Sequence, residues 1–196
     1  MVLAGLHPNE WIGIETSLAL LDSLIEAGVD DDRSIVVIPI ANPDGLLRVE
    51  RNLRNHRRRF VRHNARGVDL NRNFDARWGH KNLLAKVVPW VYRGGTHAAS
   101  EPEVSAIAYM LGNRRVDRAV SLHSFGGVVL YPSAHSLWPI ADRDEHRGWA
   151  KRIASAAADK PYRVWPTSWF SAAMTMGGLE VDWFHERHGA VSLLVE

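Results

Sequence analysis

Residues 34–41 read Ser-Ile-Val-Val-Ile-Pro-Ile-Ala, a continuous and mostly β-branched apolar run. A strand with apolar side chains on both faces belongs in a sheet covered on both sides, the usual setting of parallel α/β sheets. Residues 1–6 form a second apolar run. Between the two, residues 10–28 carry Trp11, Ile14, Leu18, Leu21 and Ile25 at helical spacing, with Gly28 placed to end the helix. Strand, helix and strand in that order make a crossover unit, and the pairing it permits is parallel. Pro39 removes a ladder donor, which puts the second strand near an edge or a bulge.

The remainder of the chain continues the alternation. Asn42-Pro43-Asp44-Gly45 reads as a tight turn. Residues 46–66 read as a partly helical, arginine-rich surface excursion, and residues 67–78 as a polar stretch suited to ligand contacts. Residues 82–95 read as irregular, with Pro89 and the Gly94-Gly95 pair as breakers. Ser100 to Glu103 has the pattern of a capping box, opening a helix with Val104, Ile107, Ala108 and Leu111 on one face. Strands are expected at 119–124, 128–131 and 190–195, helices at 143–158 and 179–188, and an aromatic-containing loop at 162–178. These elements define an α/β fold with a mixed, mostly parallel β-sheet flanked by helices. With 196 residues, one domain over 1–196 is expected. No run of 18 apolar residues is present, so no membrane helix is expected. Residues 1–20 lack the pattern of a secretory leader, which leaves location open.

In open α/β sheets, ligands bind beyond the carboxyl ends of the strands. The expected strand ends are His7, Asn42, His123 and Glu196. The chain has no cysteine, so any metal site must draw on His, Asp and Glu. His7, Glu10 and His123 would supply two nitrogens and a carboxylate and leave a position for water, as a catalytic zinc site requires. Glu196 would then be a free carboxylate beside it, able to move a proton. A His-x-x-Glu pair by itself is more often an ordinary surface pair, and the third histidine raises it above that. Eight arginines and one acid, Glu50, lie between Arg48 and Arg66. Three readings are open for them: a nucleic-acid patch, a solvated loop, or a guanidinium aimed at a substrate carbonyl or carboxylate. The first is disfavoured because the run, with Phe60 alone among its arginines, lacks the aromatic interleaving typical of strand-binding surfaces. His185-Glu186-Arg187-His188 has its histidines three apart rather than four, so it reads as a solvated helix end and not as a zinc motif. No Gly-x-Ser-x-Gly elbow exists to make Ser124 a nucleophile.

His7-Pro8-Asn9-Glu10, Asn42-Pro43-Asp44-Gly45, Gly67-Val68-Asp69-Leu70-Asn71-Arg72-Asn73-Phe74 and Ser121-Leu122-His123-Ser124 stand in that order. Asp182-Trp183 and Ser192-Leu193-Leu194-Val195-Glu196 follow them. In these segments the chain resembles the zinc carboxypeptidases of the carboxypeptidase A type. The resemblance implies hydrolysis of the C-terminal peptide bond, with one zinc ion per chain held by His7, Glu10 and His123. It implies that Arg62 steadies the oxyanion, with Arg54 as the alternative arginine. It also implies that Asn71 and Arg72 hold the substrate's free C-terminal carboxylate, and that Glu196 is general base and then acid. Val181 falls where side-chain preference is set, which implies a neutral or apolar C-terminal residue. A shift of one residue would put Glu180 there and favour Lys or Arg. The family's domain is longer, so the chain reads as truncated at both ends. The family's capping tyrosine falls near Ala173 or Met174, and Phe125 stands where another tyrosine is usual. The expected partner is a peptide, with neither nucleic acid nor membrane. Two alternatives stand beside this: a cell-wall peptide amidase or N-acyl amino acid deacylase with the same chemistry, and a zinc-binding relative without turnover.

Overall fold

The computed structural model describes residues 1–30, 32–59, 61–81, 87, 92–157, 160–170 and 175–196. Strands are β1 (Val2–Ala4), β2 (Val37–Ile38), β3 (Arg118–Leu122), β4 (Val128–Tyr131), β5 (Arg163–Pro166) and β6 (Val191–Val195). Helices are α1 (Trp11–Ala27), α2 (Pro43–Arg54), α3 (Pro102–Leu111), α4 (Arg143–Ala156), the short α5 (Thr167–Phe170) and α6 (Glu180–His188), with a single 3-10 turn at Leu70–Arg72. The sheet order is β2-β1-β3-β6-β4-β5. All pairings are parallel except β4 with β6.

Alternation along the strands sorts the core into two layers. Val129 and Leu193 face Ala150 and Ala154 of α4. Their neighbours Leu130 and Leu194 face the other way, onto Val181 of α6 and Leu179. A third cluster packs Leu3 and Ala119 against Val104, Ile107 and Leu111 of α3 and Trp183 and Phe184 of α6. Helices therefore cover both faces, as the strand–helix alternation requires.

Several local expectations are corrected. Residues 34–41 contribute only Val37–Ile38 to the ladder, and these are half-buried at the sheet edge rather than enclosed on both faces. Pro39 follows directly, where a missing donor costs least. Asn42-Pro43-Asp44-Gly45 is not a turn but the start of α2. The Asn42 side chain accepts from Gly45 N at 3.0 Å, and Pro43 occupies the first turn, where its lack of an N–H is harmless. Ser100 does not cap α3: the helix starts at Pro102, and Ser100 Oγ donates to Glu101 at 2.9 Å. The stretch 162–178 holds the strand β5 and the helix α5. On α1 the buried residues are Gly13, Ile14 and Ser17, whereas Trp11, Leu18 and Ile25 are exposed. Most of the expected irregular segment at 82–95, Pro89 included, lies outside the described residues.

Gly13 explains why α1 can approach so closely. A Cβ built there would stand 2.7 Å from the carbonyl oxygen of Leu122, the last residue of β3. That contact is to backbone and cannot swing away, so Gly13→Ala should cost about 1–3 kcal/mol by overpacking. Urea unfolding should show a lower midpoint with an unchanged slope. An unchanged midpoint would mean that α1 does not rest on β3 in this way.

Candidate metal centre

His7 leaves β1 through Gly5, whose φ of +68° turns the chain where a side chain would be strained and would press on Pro39 and Ile40. The buried Asn42 side chain donates to Leu6 O at 3.1 Å, fixing that bend to the start of α2. A tight turn, with Glu10 N donating to His7 O at 3.1 Å, sets both side chains on one side. His123 follows β3, and its N–H donates to Val195 O at 2.7 Å. The three side chains are buried, and one ligand atom from each lies within 4.8 Å of the others.

The nitrogens are sorted by their partners. His7 Nε2 donates to Asp69 Oδ1 at 3.0 Å. His123 Nε2 stands 3.0 Å from Glu180 Oε1 and 3.1 Å from Ser121 Oγ. With both Nε2 atoms engaged outward, the Nδ1 atoms face inward, 3.1 Å from each other. They stand 2.9 and 2.7 Å from the two oxygens of Glu10. Lone pairs and a carboxylate crowded so closely require a proton or a cation among them. Burial opposes ionisation of Glu10, but the hydrogen bonds and charges of His123 and His7 outweigh it and lower its pKa to about 2. Burial likewise opposes a charged His123, yet hydrogen bonds to Glu10 and Glu180 push it up to about 10. The cluster therefore holds positive charge strongly, and a metal ion entering it would displace that proton. Two imidazoles and a carboxylate, each backed by an outer partner, fit zinc.

Asp69 and Glu180 are the partners that sequence reasoning missed. Asp69 sits within the quoted Gly67–Phe74 string, but its link to His7, 62 residues away, is tertiary. Its other oxygen accepts from Arg62 Nε at 2.8 Å. Burial would raise the Asp69 carboxyl; the charges of His7, Arg72 and Arg62 hold it well below the usual range. Glu180 is fully buried, and its Oε2 has no partner among the described residues. Replacing Glu180 with alanine should weaken zinc binding roughly 10–100-fold, and Glu180→Gln, which keeps an acceptor, should restore most of it. Competition against a zinc chelator measures both. Equal affinities in wild type and Glu180→Ala would remove Glu180 from the centre.

The other candidates divide. Arg62 Nη1 lies 3.7 Å from Glu10 Oε1, whereas Arg54 is exposed and paired with Glu50 at 3.5 Å on α2. Asn71 is buried, its Oδ1 accepting from Glu180 N at 3.2 Å. Arg72 donates from Nη1 to Asn71 O at 2.5 Å, and its Nε is buried without a partner among the described residues. Burial lowers the Arg72 pKa despite nearby Asp69. Glu196 is held by main-chain bonds on both sides, donating to Val128 O at 2.9 Å and accepting from Gly127 N at 2.7 Å. Burial raises its pKa, and the charges acting on it include His123, Glu10, His7 and Arg62. Val181 is the one candidate set apart. It is fully enclosed in the apolar cluster with Tyr92, Leu130 and Leu194, while its neighbour Glu180 reaches His123. Ala173 and Met174 lie outside the described residues, and Phe125 is exposed.

A mixed sheet between helices, with a two-histidine, one-carboxylate cluster beyond β1 and β3, defines an α/β protein with a metal-type centre. The chain belongs to the zinc carboxypeptidase family, whose pattern matches residues 1–196. It is 28% identical over 199 residues to carboxypeptidase A4 of Mus musculus, covering 93% of this chain and 46% of that one. It is 30% identical over 143 residues to carboxypeptidase B of Helicoverpa zea, covering 67% of this chain and 33% of the relative. The chain thus spans less than half of either relative's length. Among solved structures, the bovine thrombin-activatable fibrinolysis inhibitor in complex with tick carboxypeptidase inhibitor superimposes with a TM-score of 0.82. That match has 23% identity and covers all of this chain and 70% of that one. The murein-tripeptide amidase MpaA of Escherichia coli O157 superimposes with a TM-score of 0.58 at 21% identity, again covering 100% and 70%. Both structures bear on the fold.

Proposed function

We propose that this chain carries a zinc-dependent carboxypeptidase site that hydrolyses the C-terminal peptide bond of peptides. The observation that supports it most is the convergence of His7, Glu10 and His123 with both outer imidazole nitrogens engaged. When bound, zinc polarises a scissile carbonyl and makes water nucleophilic at neutral pH. In this reading Glu196 takes a proton from the attacking water and returns it to the leaving amine. Its buried setting raises its pKa and makes the carboxylate a better proton acceptor, and the acid so formed can give the proton back. Arg62 donates to the developing oxyanion, and Asp69 steadies its guanidinium. Asn71 and Arg72 bind the substrate's terminal carboxylate, for which the unpartnered Nε of Arg72 is a spare donor.

The neutral or apolar C-terminal preference implied at Val181 is not carried by that side chain, which is sealed in the core. The buried Oε2 of Glu180, without a partner among the described residues, favours a basic C-terminal residue instead. Purified protein should hold one zinc per chain and release the last residue from a panel of C-terminally free dipeptides and tripeptides. C-terminal amides should resist it. Muropeptides and N-acyl amino acids belong in the same assay. Turnover of those alone would replace the carboxypeptidase reading, and zinc without turnover of any would favour a binding relative.

A further inference from the structure

Away from residues 7, 10 and 123, a second set of ligand-type side chains meets where the first turn of α4 packs against α6. Asp142 precedes α4, His146 lies one turn on, and His185 comes from α6. One ligand atom from each lies within 4.8 Å of the other two. His185 belongs to the stretch expected to be a solvated helix end, but its side chain is only 21% exposed, and that of His146 is 0% exposed. The two rings meet edge to face with centroids 5.0 Å apart.

Among the described residues, Asp142 is the polar partner of both rings. Its Oδ2 is 3.5 Å from His146 Nδ1 and its Oδ1 is 3.7 Å from His185 Nε2. These separations are long for hydrogen bonds. They are close to the roughly 3.3–3.4 Å between ligand atoms that stand about 2.0–2.1 Å from a tetrahedral zinc ion. His146 Nδ1 also approaches the backbone oxygen of Asp142 at 3.2 Å. His146 Nε2 and His185 Nδ1 are buried with no partner among the described residues. Among the described residues, the ion-pair partners of the Asp142 carboxylate are these two imidazoles, and nearby His135 is turned instead to Asp182 at 2.9 Å and Glu186 at 3.5 Å.

We propose that Asp142, His146 and His185 form a second site for a divalent ion of the zinc type, tying α4 to α6. Two imidazoles and a carboxylate suit zinc and its transition-metal neighbours over calcium or magnesium. The Asp142 side chain is 40% exposed, so the ion enters from solvent. The site is weaker than the centre at His7, Glu10 and His123. It lies at the start of α4, whose dipole opposes a cation, and among the described residues its imidazoles lack the outer carboxylate partners seen there. Its occupation acts on the elements it joins, α4 against β4 and β6, and α6 with Glu180 at its start.

The test is equilibrium dialysis of the protein, already holding one equivalent, against increasing zinc, with the melting temperature followed in parallel. A second equivalent should bind, and the melting temperature should rise as it saturates. Asp142→Asn and His185→Gln, both at partly exposed positions, should each weaken the second equivalent at least 10–100-fold and leave the first in place. In a His123→Ala background the weaker equivalent should persist, which separates this site from the centre discussed above. The proposal is overturned if wild type takes up no second equivalent at millimolar zinc, or if that equivalent survives unchanged in the Asp142→Asn, His185→Gln double variant.

Discussion

His123→Ala should leave a protein that no longer retains zinc through purification and that unfolds well below the parent. The first effect follows from losing one of three ligands: it should exceed the roughly 10–100-fold that a lost outer partner costs, and peptidase activity should vanish with the metal. The second follows from what surrounds His123. Glu10 Oε2 at 2.7 Å and Glu180 Oε1 at 3.0 Å both lose their partner in a buried setting. Breaking a buried charged pair from one side costs about 3–5 kcal/mol. For a chain of this size that is roughly a 10 °C fall in melting temperature. Metal analysis and calorimetry of the variant, each with and without added zinc, read the two effects separately. Zinc retained at one equivalent under dialysis against chelator would remove His123 from the ligand set, whatever happened to stability.

Glu196→Gln should do the opposite: keep the zinc and the fold, and lose about 10²–10⁴-fold in turnover, the range that a positioned general base supplies. The amide preserves the size of the side chain and leaves the main-chain bonds to Gly127 and Val128 untouched. Only the ability to accept and return a proton is removed. The effect should fall on kcat, with KM for a good peptide substrate little changed. A variant with full turnover would assign the proton transfer to another group and leave Glu196 as a structural end to β6.

The residues that converge were readable because the chain delivers them at strand ends, and strands announce themselves by apolar runs. Arg118–Leu122 and Val191–Val195 each end beside a polar residue, Val2–Ala4 ends three residues before His7, and adjacent parallel strands bring those ends to one edge. β5 escaped because Arg163-Val164-Trp165-Pro166 is short, begins with a charge and ends with a proline. The start of α2 is ambiguous in the sequence for a chemical reason. An asparagine followed by proline serves a turn and a helix N-terminus equally well, and only the Asn42 bonds to Gly45 and Leu6 decide between them. The buried face of α1 does not show in the apolar pattern, because large Trp11, Leu18 and Ile25 are exposed whereas Ile14 with small Gly13 and Ser17 makes the contact. Asp69 and Glu180 could not be paired with their histidines from spacing, since each bond joins segments far apart in sequence. Val181 shows the remaining ambiguity. One residue along a helix separates a side chain sealed in the core from one that touches a metal-type cluster.

The distance along the chain between the clustered residues also governs how the protein is put together. His7 and Glu10 lie 116 and 113 positions from His123, and the strands that carry them to one edge, β1 and β3, are neighbours only after that long loop has closed. Closing it costs chain entropy before any contact repays it, so assembly of the sheet centre is a late and slow event. An ion gripped by these residues would therefore act as a latch on the finished molecule rather than a seed for it. It would lengthen the lifetime of the native chain while leaving the speed of folding to the sheet.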